Sequence, residues 1–385
     1  MKIALVSPYD WCVAGGVNNH ITHLAKYFRD WGHEVTIFAP ASDGAVASQE
    51  VTVMGKPRSM RVSGSVARIT FSWKSPEVRK VLAEGRFDVV HLHEPLMPLL
   101  PYHFLRYSNS ATVGTFHAAK DHGNRFYGYT TRLTRRWFRK LEGKIAVSPA
   151  AVGLVSRYFT GYFNIIPNGI DYEHFARPVP PIEEFNDGKK NILFVGRPEK
   201  RKGLKYLLRA YMRIRSQVSD TRLIVVGAGD FSRYERIMAT FPDVVFRPDV
   251  PYADLPRYYR SATVFCCPNT GNESQGYVLL EALASGRAVV ASNIEGFAGV
   301  MTDEVEGLLV RPKDAEAAAA AIVRLLKDPK LRARFSERGQ ELARHYSWDN
   351  VAHRVMSYYE RILYEHRQVA ETRAARVLIG ASEGN

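Results

Sequence analysis

The stretch "NILFVGRPEKRKG", residues 191–203, decides the fold, because it restarts a pattern with which the chain begins. Its apolar run ends in glycine, and a basic turn leads from that glycine into a helical pattern between Leu204 and Tyr211. Near the N-terminus, "KIALVS" at 2–7 is also an apolar run, and a loop and a helical pattern follow it. The repeat predicts two domains of the same kind.

Short β-rich runs continue from each of these starts, with helix-like segments between several of them. They are "HEVTIFAP" (33–40), "FDVVHLH" (87–93), "ATVGTFH" (111–117) and "GKIAVS" (143–148) in the first half, and "TRLIVVGAG" (221–229), "VVFRPDV" (244–250), "ATVFCCP" (262–268) and "RAVVAS" (287–292) in the second. Strands that alternate with helices indicate βαβ units and a buried parallel sheet. The predicted fold class is α/β, with two Rossmann-like doubly wound domains facing across a cleft.

The domain bounds follow from this division. We predict a first domain over residues 1–170 and a second over 171–354. The segment "RPVPPIEEFNDGKK" at 177–190 is rich in proline and charge, which fits a linker or a hinge-side loop. A C-terminal helix at about 355–372 is expected to pack back on the first domain, and residues 373–385 are expected to be disordered.

Composition excludes several classes of protein. The 385 residues are 46% apolar, which is ample for folded cores. The three cysteines show neither metal-binding spacing nor the count of a disulfide scaffold, so we expect a reduced, cytoplasmic compartment. No signal-peptide core is evident, and no run reaches the roughly 18 apolar residues of a membrane span.

The net charge of +14 is concentrated in the first half of the chain. Residues 56–86 hold eight Lys and Arg against two acids, and residues 101–150 hold nine against two. Such a face favours an anionic partner, such as nucleic acid, phospholipid headgroups or a phosphorylated ligand. A solvated basic surface that only aids solubility remains an alternative of similar weight.

Ligands of open α/β sheets bind beyond the carboxyl ends of the strands, so the residues that follow strands are the first candidates. Gly15 and Gly16 follow the first strand and precede a helix, where backbone N–H groups favour phosphate. His117 follows the strand at 111–116 and is a candidate for substrate contact. A plain tight turn and a structural histidine are the alternatives for these positions.

A basic turn follows the strand at 191–196. Arg197, Arg201 and Lys202 lie within six residues of one another, and we expect them to repel unless water or an anion neutralises them. A diphosphate at a helix start is the natural anion, and a solvated loop is the alternative.

The stretch "NESQGYVLLEALASG", 272–286, carries two acids eight residues apart. We predict a loop through Glu273 and then a helix whose first turn lies near Ser274 or Gln275 and which stops at the final glycine. Glu281 then falls about two turns from Glu273, so both carboxylates are expected to point into one groove. Ionised carboxylates accept hydrogen bonds bidentately, which suits sugar hydroxyls.

The segment "ESQGYVLLE" resembles the EX7E motif of the retaining glycosyltransferases of family 4, which have the two-domain GT-B fold. The stretches "AGGV", "GTFH", "IPNGID" and "GRPEKRKG" resemble further motifs of that family in the same order, so the resemblance covers almost the whole chain. Within the family the sequence looks most like the phosphatidylinositol mannosyltransferases, on the stretches "SGSVAR", "AEGRFDVVHLHEP" and "WGHEV".

This resemblance implies a role for each matching residue. The catalytic residues implied are His117, Glu273, Arg197 and Lys202. The donor-binding residues implied are Gly15, Gly16, Arg197, Arg201, Lys202, Val250, Glu273, Ser274, Gly276 and Glu281. The acceptor-binding residues implied are Tyr9, Asp10, Asn18 and Arg68.

The implied reaction moves a hexosyl group from a nucleoside diphosphate to a hydroxyl, with retained configuration. The expected donor is GDP-mannose, and the expected acceptor is phosphatidylinositol at the cytoplasmic face of the plasma membrane. The chain has no DxD acid pair, and Arg197 and Lys202 can stabilise the departing diphosphate instead, so we expect no metal and no other cofactor.

The basic excess of the first half has a place in this reaction. In "TRLTRRWFRKLEGKI", 131–145, an apolar stripe at helical spacing is flanked by cations, which is the composition of an interfacial helix. The stripe is formed by Leu133, Trp137, Phe138, Leu141 and Ile145. The predicted membrane-binding residues are Lys74, Arg79, Lys80, Arg132, Arg135, Arg136, Trp137, Arg139 and Lys140. The alternative is that the aromatic side chains pack on the sheet and the arginines are solvated.

Other functions remain open. A UDP-sugar with diacylglycerol, another lipid or a soluble sugar as acceptor is the alternative within the class. A nucleic-acid binder would explain the charge but not Glu273 and Glu281 beside a basic turn, since carboxylates repel a phosphate backbone, and no nucleic-acid partner is expected. The sequence leaves the oligomeric state open.

Overall fold

Two parallel sheets with the same winding form the framework of the molecule. The computed structural model describes the chain except for residues 14, 43–50, 63–64, 71–74, 98, 121–122, 235, 237–239 and 383–385. In each sheet the first strand of the domain lies inside the sheet, and the chain adds strands on both sides of it. This is the doubly wound arrangement, and it confirms the predicted fold class.

The first sheet has seven strands. The strands of the first half are β1 (Lys2–Val6), β2 (Glu34–Ala39), β3 (Val51–Val53), β4 (Pro57–Val62), β5 (Ser65–Thr70), β6 (Val89–His93), β7 (Ala111–Phe116), β8 (Gly143–Ala146) and β9 (Asn164–Ile165). The sheet has the order β3-β2-β1-β6-β7-β8-β9, with parallel pairing throughout. Strands β4 and β5 form a separate antiparallel hairpin.

The second sheet has six strands. They are β10 (Lys190–Val195), β11 (Thr221–Val226), β12 (Val244–Arg247), β13 (Val264–Cys267), β14 (Ala288–Ser292) and β15 (Gly307–Val310). The order is β12-β11-β10-β13-β14-β15, and all neighbours are parallel. Strand β10 is almost wholly buried, as expected for a continuous apolar run inside a parallel sheet.

Helices cover the faces of both sheets. The described α-helices are α1 (Gly16–Asp30), α2 (Ser75–Gly85), α3 (Leu100–Tyr107), α4 (Arg125–Lys140), α5 (Pro149–Ser156), α6 (Tyr172–Ala176), α7 (Leu204–Gln217), α8 (Leu255–Ser261), α9 (Tyr277–Ala284), α10 (Glu295–Ala298), α11 (Ala315–Lys327), α12 (Pro329–Arg344) and α13 (Trp348–Ser382). Short 3-10 turns lie at Glu183–Phe185, Lys200–Lys202, Ser232–Tyr234 and Tyr252–Asp254.

Local sequence explains where several helices begin. Asp314 accepts hydrogen bonds from the backbone N–H groups of Glu316 and Ala317 and so caps α11. Asp328 caps α12 in the same way, and Pro329 occupies the first helical position, where its fixed φ suits the helix.

The helix of the acidic stretch begins later than predicted. It starts at Tyr277 and not near Ser274 or Gln275, because Gly276 has a φ of +84° and interrupts the helical backbone. A Cβ at Gly276 would lie 2.3 Å from the Phe297 ring, so this position excludes larger residues.

The last helix packs on the first sheet, although it follows the second domain in sequence. Trp348, Val351, Val355 and Tyr359 of α13 are buried in one apolar cluster with Ile3 and other residues of the first domain. Each fully buried large apolar side chain contributes about 1.5–3 kcal/mol, so this helix ties the end of the chain to its beginning. The domain bounds at 170 and 354 stay a prediction.

Three parts of the fold differ from the sequence prediction or were missing from it. Helix α13 continues through residues 373–382, which the prediction treats as disordered. The segment "RAAR" there consists of strong helix formers, and these extend the helix. The hairpin of β4 and β5 and the edge strands β3, β9 and β15 were not predicted. Strands β3 and β9 have only three and two residues, which are too few to show a periodicity.

Candidate active site

A cavity of about 500 Å³ lies between the two domains. Its lining from the first domain includes Gly15, Gly16 and Asn18, and its lining from the second includes Tyr252, Tyr277 and Glu281. A site at this place depends on both domains, as expected for two sheets whose strand ends face each other.

The basic turn and the first glutamate of the acidic stretch meet in a buried ion-pair cluster. Glu273 Oε2 lies 2.7 Å from Lys202 Nζ and 3.1 Å from Arg201 Nη1, and it accepts a hydrogen bond of 2.7 Å from Asn269 Nδ2. Only 15% of the Glu273 side chain is exposed. Burial alone would raise the pKa of Glu273, but Lys202 and Arg201 outweigh burial and hold the pKa below its usual value. Glu273 is therefore ionised.

A second carboxylate also neutralises this turn. Glu199 Oε2 lies 2.8 Å from Arg201 Nε, and its Oε1 lies 3.5 Å from Arg197 Nε. The expectation that the cations repel unless water or a bound anion neutralises them was therefore incomplete. The carboxylates of Glu199 and Glu273 neutralise part of the positive charge. Arg197 remains the most exposed of these cations, with 65% of its side chain accessible.

Close packing forms the basic turn. Gly203 has a φ of +72°, and a Cβ there would lie 1.8 Å from the carbonyl oxygen of Pro268. Thr270 N donates to Arg201 O at 2.7 Å, so the turn is fixed against the loop that follows β13. These contacts bring the basic turn to Glu273.

Glu281 lies on α9 and lines the cavity. Tyr259 Oη donates a hydrogen bond of 2.8 Å to Glu281 Oε2. Burial raises the pKa of Glu281 to about 7, although the Tyr259 hydrogen bond and the charge of Lys202 oppose this shift. Glu281 thus differs from Glu273, since the Glu281 carboxyl titrates near neutral pH.

The paired glycines before α1 have different surroundings. Gly15 caps α1 in an extended conformation with no close side chain. A Cβ on Gly16 would lie 3.3 Å from the Tyr277 ring, and Tyr277 Oη donates to Gly16 O at 3.4 Å. Tyr277 belongs to the second domain, so the close approach at Gly16 is a contact between the domains.

The other predicted donor-binding residues are placed by the second domain. Val250 is half-buried in the loop after β12. Ser274 Oγ lies 3.2 Å from Ser148 Oγ of the first domain. The roles given to these residues and to Gly276 stay predictions.

His117 stands at the end of β7, within a group of buried histidines. Its Nε2 lies 2.9 Å from Nδ1 of His93, and its ring centroid lies 5.0 Å from that of His20. Burial and the nearby His91 lower the pKa of His117 to about 3, so its imidazole is neutral at physiological pH.

The described residues contain a histidine group with spacing that could hold a metal ion. Ring nitrogens of His20, His93 and His117 all lie within 4.8 Å of one another. A hydrogen bond between neutral imidazoles accounts for the short contact of His93 with His117. The expectation that the enzyme needs no metal stays a prediction.

Two of the predicted acceptor-binding residues hold the loop between β1 and α1. Asp10 Oδ1 accepts from the backbone N–H of Ser42 at 2.9 Å, and Asn18 Nδ2 donates to Asp10 O at 2.9 Å. Tyr9 is half-buried, and burial and the nearby Glu94 raise its pKa. Arg68 lies in β5 opposite Ser59, and its side chain is outside the part that the structure describes.

The predicted membrane-binding segment is only partly an exposed surface. Phe138 and Leu141 are buried in the core of the first domain, whereas Leu133 is 77% and Tyr129 80% exposed. The predicted stripe divides because α4 ends at Lys140, so Leu141 and Ile145 lie beyond the helix. The exposed face of α4 is instead formed by Tyr129, Arg132, Leu133 and Arg136, and we refer to these four residues as the α4 face.

The remaining predicted membrane-binding residues differ in their contacts. Lys140 Nζ donates to the carbonyl oxygens of Arg106 and Ser108 at 2.8 Å each, so its ammonium group is bound to the protein. Trp137 is half-buried against Tyr102. Arg135 and Arg139 are exposed.

Helix α2 carries two more of these residues. The Arg79 guanidinium lies 4.3 Å above the Tyr107 ring, and Lys80 is exposed. Lys74 lies outside the described residues. In the part of the chain that the structure covers, no helix is long and apolar enough to cross a membrane.

Sequence reasoning missed several residues of the site, among them Tyr259, Tyr277 and Gln275. Tyr259 and Tyr277 lie on helices, and only the tertiary structure directs them to Glu281 and Gly16. Gln275 binds the backbone of Asn168 at both its amide atoms, at 2.7 and 2.9 Å, and so joins the second domain to the loop that enters it. No local signal singles out Gln275, because its neighbours in sequence are the polar Ser274 and Gly276.

Two Rossmann-like domains with a basic strand-end turn, two glutamates eight residues apart and a cavity between the domains define a glycosyltransferase of the GT-B class. Two family models match the chain, namely Glycosyltransferase Family 4 over residues 14–174 and Glycosyl transferases group 1 over residues 177–342. The chain belongs to the family 4 glycosyltransferases and is an enzyme.

Relatives within this family are similar over the whole length. The chain is 36% identical to the phosphatidyl-myo-inositol mannosyltransferase of Mycolicibacterium smegmatis, over 94% of each chain. It is 32% identical to the protein of the same name from Propionibacterium freudenreichii, over 93% of this chain and 94% of the relative. A glycosyltransferase structure from Rickettsia africae matches the fold with a TM-score of 0.74 at 18% identity, over 94% of this chain and 98% of the other.

Proposed function

We propose that the protein is a retaining mannosyltransferase that transfers mannose from GDP-mannose to phosphatidylinositol at a membrane surface. The observation that carries the proposal is the contact of Glu273 with Arg201 and Lys202, because a carboxylate suited to sugar hydroxyls then lies beside cations suited to a diphosphate. The similarity to phosphatidyl-myo-inositol mannosyltransferases supports the choice of donor and acceptor.

The charge of the basic turn suits a diphosphate. The turn carries four cations, residues 197 and 200–202, and the carboxylates of Glu199 and Glu273 contact three of them, which leaves an excess of two positive charges. A nucleoside diphosphate sugar carries two negative charges on its diphosphate. Arg197 is exposed and oriented by a single long contact, so it can turn to the diphosphate without breaking the buried cluster.

The two glutamates would bind different parts of the donor. Glu281 lines the cavity with one oxygen held by Tyr259, so its other oxygen can accept from a ribose hydroxyl. The contacts of Glu273 to Arg201, Lys202 and Asn269 all use Oε2, so Oε1 can accept from hydroxyls of the transferred sugar.

In the proposed reaction the bond from the anomeric carbon to the diphosphate oxygen breaks, and a bond to the acceptor hydroxyl forms on the same face. The hydroxyl proton passes to the departing phosphate oxygen. Negative charge grows on the diphosphate as the bond breaks, and Arg197 and Lys202 stabilise it. A single donor of this kind lowers the barrier by about 3–4 kcal/mol. We propose that these cations take the part that a metal has in other transferases.

His117 would contact the sugar as a neutral imidazole. Because its pKa is lowered to about 3, the imidazole is neutral and can form a hydrogen bond with a sugar hydroxyl. It cannot supply a positive charge near the reacting carbon. Such a contact orients the anomeric carbon without opposing the positive charge that develops on the sugar ring.

The α4 face would dock the first domain on anionic lipid. Tyr129 and Leu133 offer exposed apolar surface on the same face of α4 as Arg132 and Arg136. Each cation near an anionic surface contributes about 1 kcal/mol, which is enough for reversible binding when several act together. Such docking would hold the enzyme at the surface in which a phosphatidylinositol headgroup lies.

Calorimetry of nucleotide binding without metal tests the donor. We expect GDP and GDP-mannose to bind more tightly than UDP and UDP-glucose, unchanged by EDTA, and Glu281→Ala to weaken binding by about ten- to a hundred-fold through loss of charged hydrogen bonds. Glu341→Ala, on the exposed surface of α12, is the matched control. Tighter binding of UDP than of GDP would indicate a UDP-sugar as the donor in place of GDP-mannose. Failure of every nucleotide to bind would contradict the proposal.

A further inference from the structure

Glu94 is a buried acid beside the candidate catalytic histidine. It follows β6 directly, and its backbone N–H donates to Thr115 O of the neighbouring β7 at 2.8 Å. His117 follows the end of β7. The Glu94 residue is only 3% exposed, and a buried carboxylate is costly unless it is paired or hydrogen-bonded.

Two partners of this carboxylate are backbone amides of the segment that follows β7. Glu94 Oε1 accepts a hydrogen bond of 2.8 Å from His117 N and one of 2.9 Å from Ala118 N. His117 and Ala118 are the first residues beyond β7, where the ladder of the sheet no longer fixes the backbone. One oxygen of Glu94 therefore holds the segment that carries the His117 side chain.

A third contact reaches the helix that bears the α4 face. Tyr127 Oη lies 3.5 Å from Glu94 Oε2, and Tyr127 is buried in the first turn of α4. Burial raises the pKa of Glu94, and the two amides, Tyr127 and the nearby Lys120 oppose this shift. The carboxylate thus touches two elements that the proposed reaction uses.

The backbone of Glu94 is strained. Its φ of +50° lies in the left-handed region, which non-glycine residues adopt only at an energetic cost. Glycine would relieve this strain but could not reach the two amides. The strained backbone of Glu94 and its buried side chain, which is hydrogen-bonded to the segment that carries His117, together indicate a role in the site.

We propose that Glu94 is a positioning residue, which fixes the backbone of His117 and Ala118 so that the His117 imidazole faces the anomeric carbon of the donor. This inference rests on the proposed glycosyl transfer. In this role Glu94 exchanges no proton with the substrate. The length of its side chain determines whether it can hold both amides.

Two substitutions separate length from charge. Glu94→Gln keeps the reach of the side chain and an oxygen that accepts from both amides, but it removes the charge. Glu94→Asp keeps the charge, but it is shorter by one methylene group and cannot hold both amides without a shift of the backbone. Glu341→Gln on the exposed surface of α12 is the control for effects of remote substitution.

Steady-state kinetics with GDP-mannose and phosphatidylinositol vesicles gives the first readout. We expect Glu94→Asp to lower kcat about a hundred-fold, as displacement of a catalytic group by about 1 Å does, while the KM for GDP-mannose and the calorimetric affinity for GDP stay within about two-fold. Glu94→Gln is expected to keep kcat within about five-fold, because neutral hydrogen bonds replace charged ones.

Hydrogen exchange gives a second readout that needs no turnover. Peptides that span residues 115–120 should be protected in the wild type and in Glu94→Gln, and they should exchange faster in Glu94→Asp. The inference is overturned if Glu94→Asp keeps wild-type kcat and protection, or if Glu94→Gln loses as much of both as Glu94→Asp. Failure of the wild type to transfer mannose would contradict only the proposed function, since the exchange pattern still tests the contact of Glu94 with the two amides.

Discussion

We expect nucleotide binding to depend more steeply on pH in the wild type than in Glu281→Gln, because the Glu281 carboxyl titrates near neutral pH. Its pKa is raised to about 7, chiefly by burial. The carboxyl is then roughly one-tenth ionised at pH 6 and nine-tenths ionised at pH 8. If the ionised form accepts from the ribose hydroxyls, the Kd for GDP should fall about ten-fold between pH 6 and pH 8.

Isothermal titration calorimetry of GDP at pH 6, 7 and 8 measures this effect. Glu281→Gln is the control, because it keeps the shape and the contact with Tyr259 but has no proton to lose near neutral pH. The phosphates of GDP titrate in the same range, so the difference between the wild type and the variant is the relevant quantity. Equal pH dependence in both proteins would refute the assignment of the ribose to Glu281.

The same shift affects the stability of the protein without ligand. The folded-state pKa of Glu281 is raised above its ordinary value of 4.5, so the folded state binds this proton more tightly than the unfolded state. The resulting stability is present below pH 4.5 and is lost as the pH rises through about 7. A shift of this size corresponds to at most about 3 kcal/mol. Relative to Glu281→Gln, the wild type should therefore lose free energy of unfolding between pH 5 and pH 8 in urea titrations.

Three further predictions concern other parts of the structure. Leu133→Ser should weaken binding to vesicles that contain anionic lipid by about three- to ten-fold in flotation assays, whereas Met212→Ser, at an exposed apolar site on α7 of the second domain, should not; equal losses in both would contradict a role for the α4 face. Lys202→Ala should lower the free energy of unfolding by about 1–3 kcal/mol in urea and weaken GDP binding, because it leaves a buried carboxylate with one cation fewer; unchanged stability would contradict this. Gly203→Ala should destabilise the protein by more than about 3 kcal/mol, since its Cβ would overlap a backbone carbonyl, whereas Gly188→Ala, with open space around it, should cost only about 1–2 kcal/mol for its positive φ.

Much of the framework could be predicted from the sequence because it rests on local patterns. Apolar runs such as "NILFVG" identify strands that are buried on both faces, and their alternation with helices determines the parallel winding. The rule that ligands bind at strand ends then selects His117 and the basic turn. The two glutamates follow from their spacing, since both lie within one short loop and one helix.

The remainder of the site depends on contacts between distant segments. Tyr277 reaches Gly16 across the domains, and Glu94 binds the amides of a neighbouring strand end, so no local spacing reveals either pair. The apolar stripe of α4 was assigned wrongly in part because helical spacing continued past Lys140, where the helix ends. A periodic pattern gives the orientation of side chains only as far as the backbone stays helical.

The most direct test of the proposed function is transfer of radiolabelled mannose from GDP-mannose to phosphatidylinositol vesicles, with the anomeric configuration of the product determined by NMR. The account predicts a lipid-extractable product in which mannose keeps the α configuration that it has in the donor, with no such product from UDP-glucose and diacylglycerol. A product with inverted configuration, or transfer only from a UDP-sugar, would contradict it.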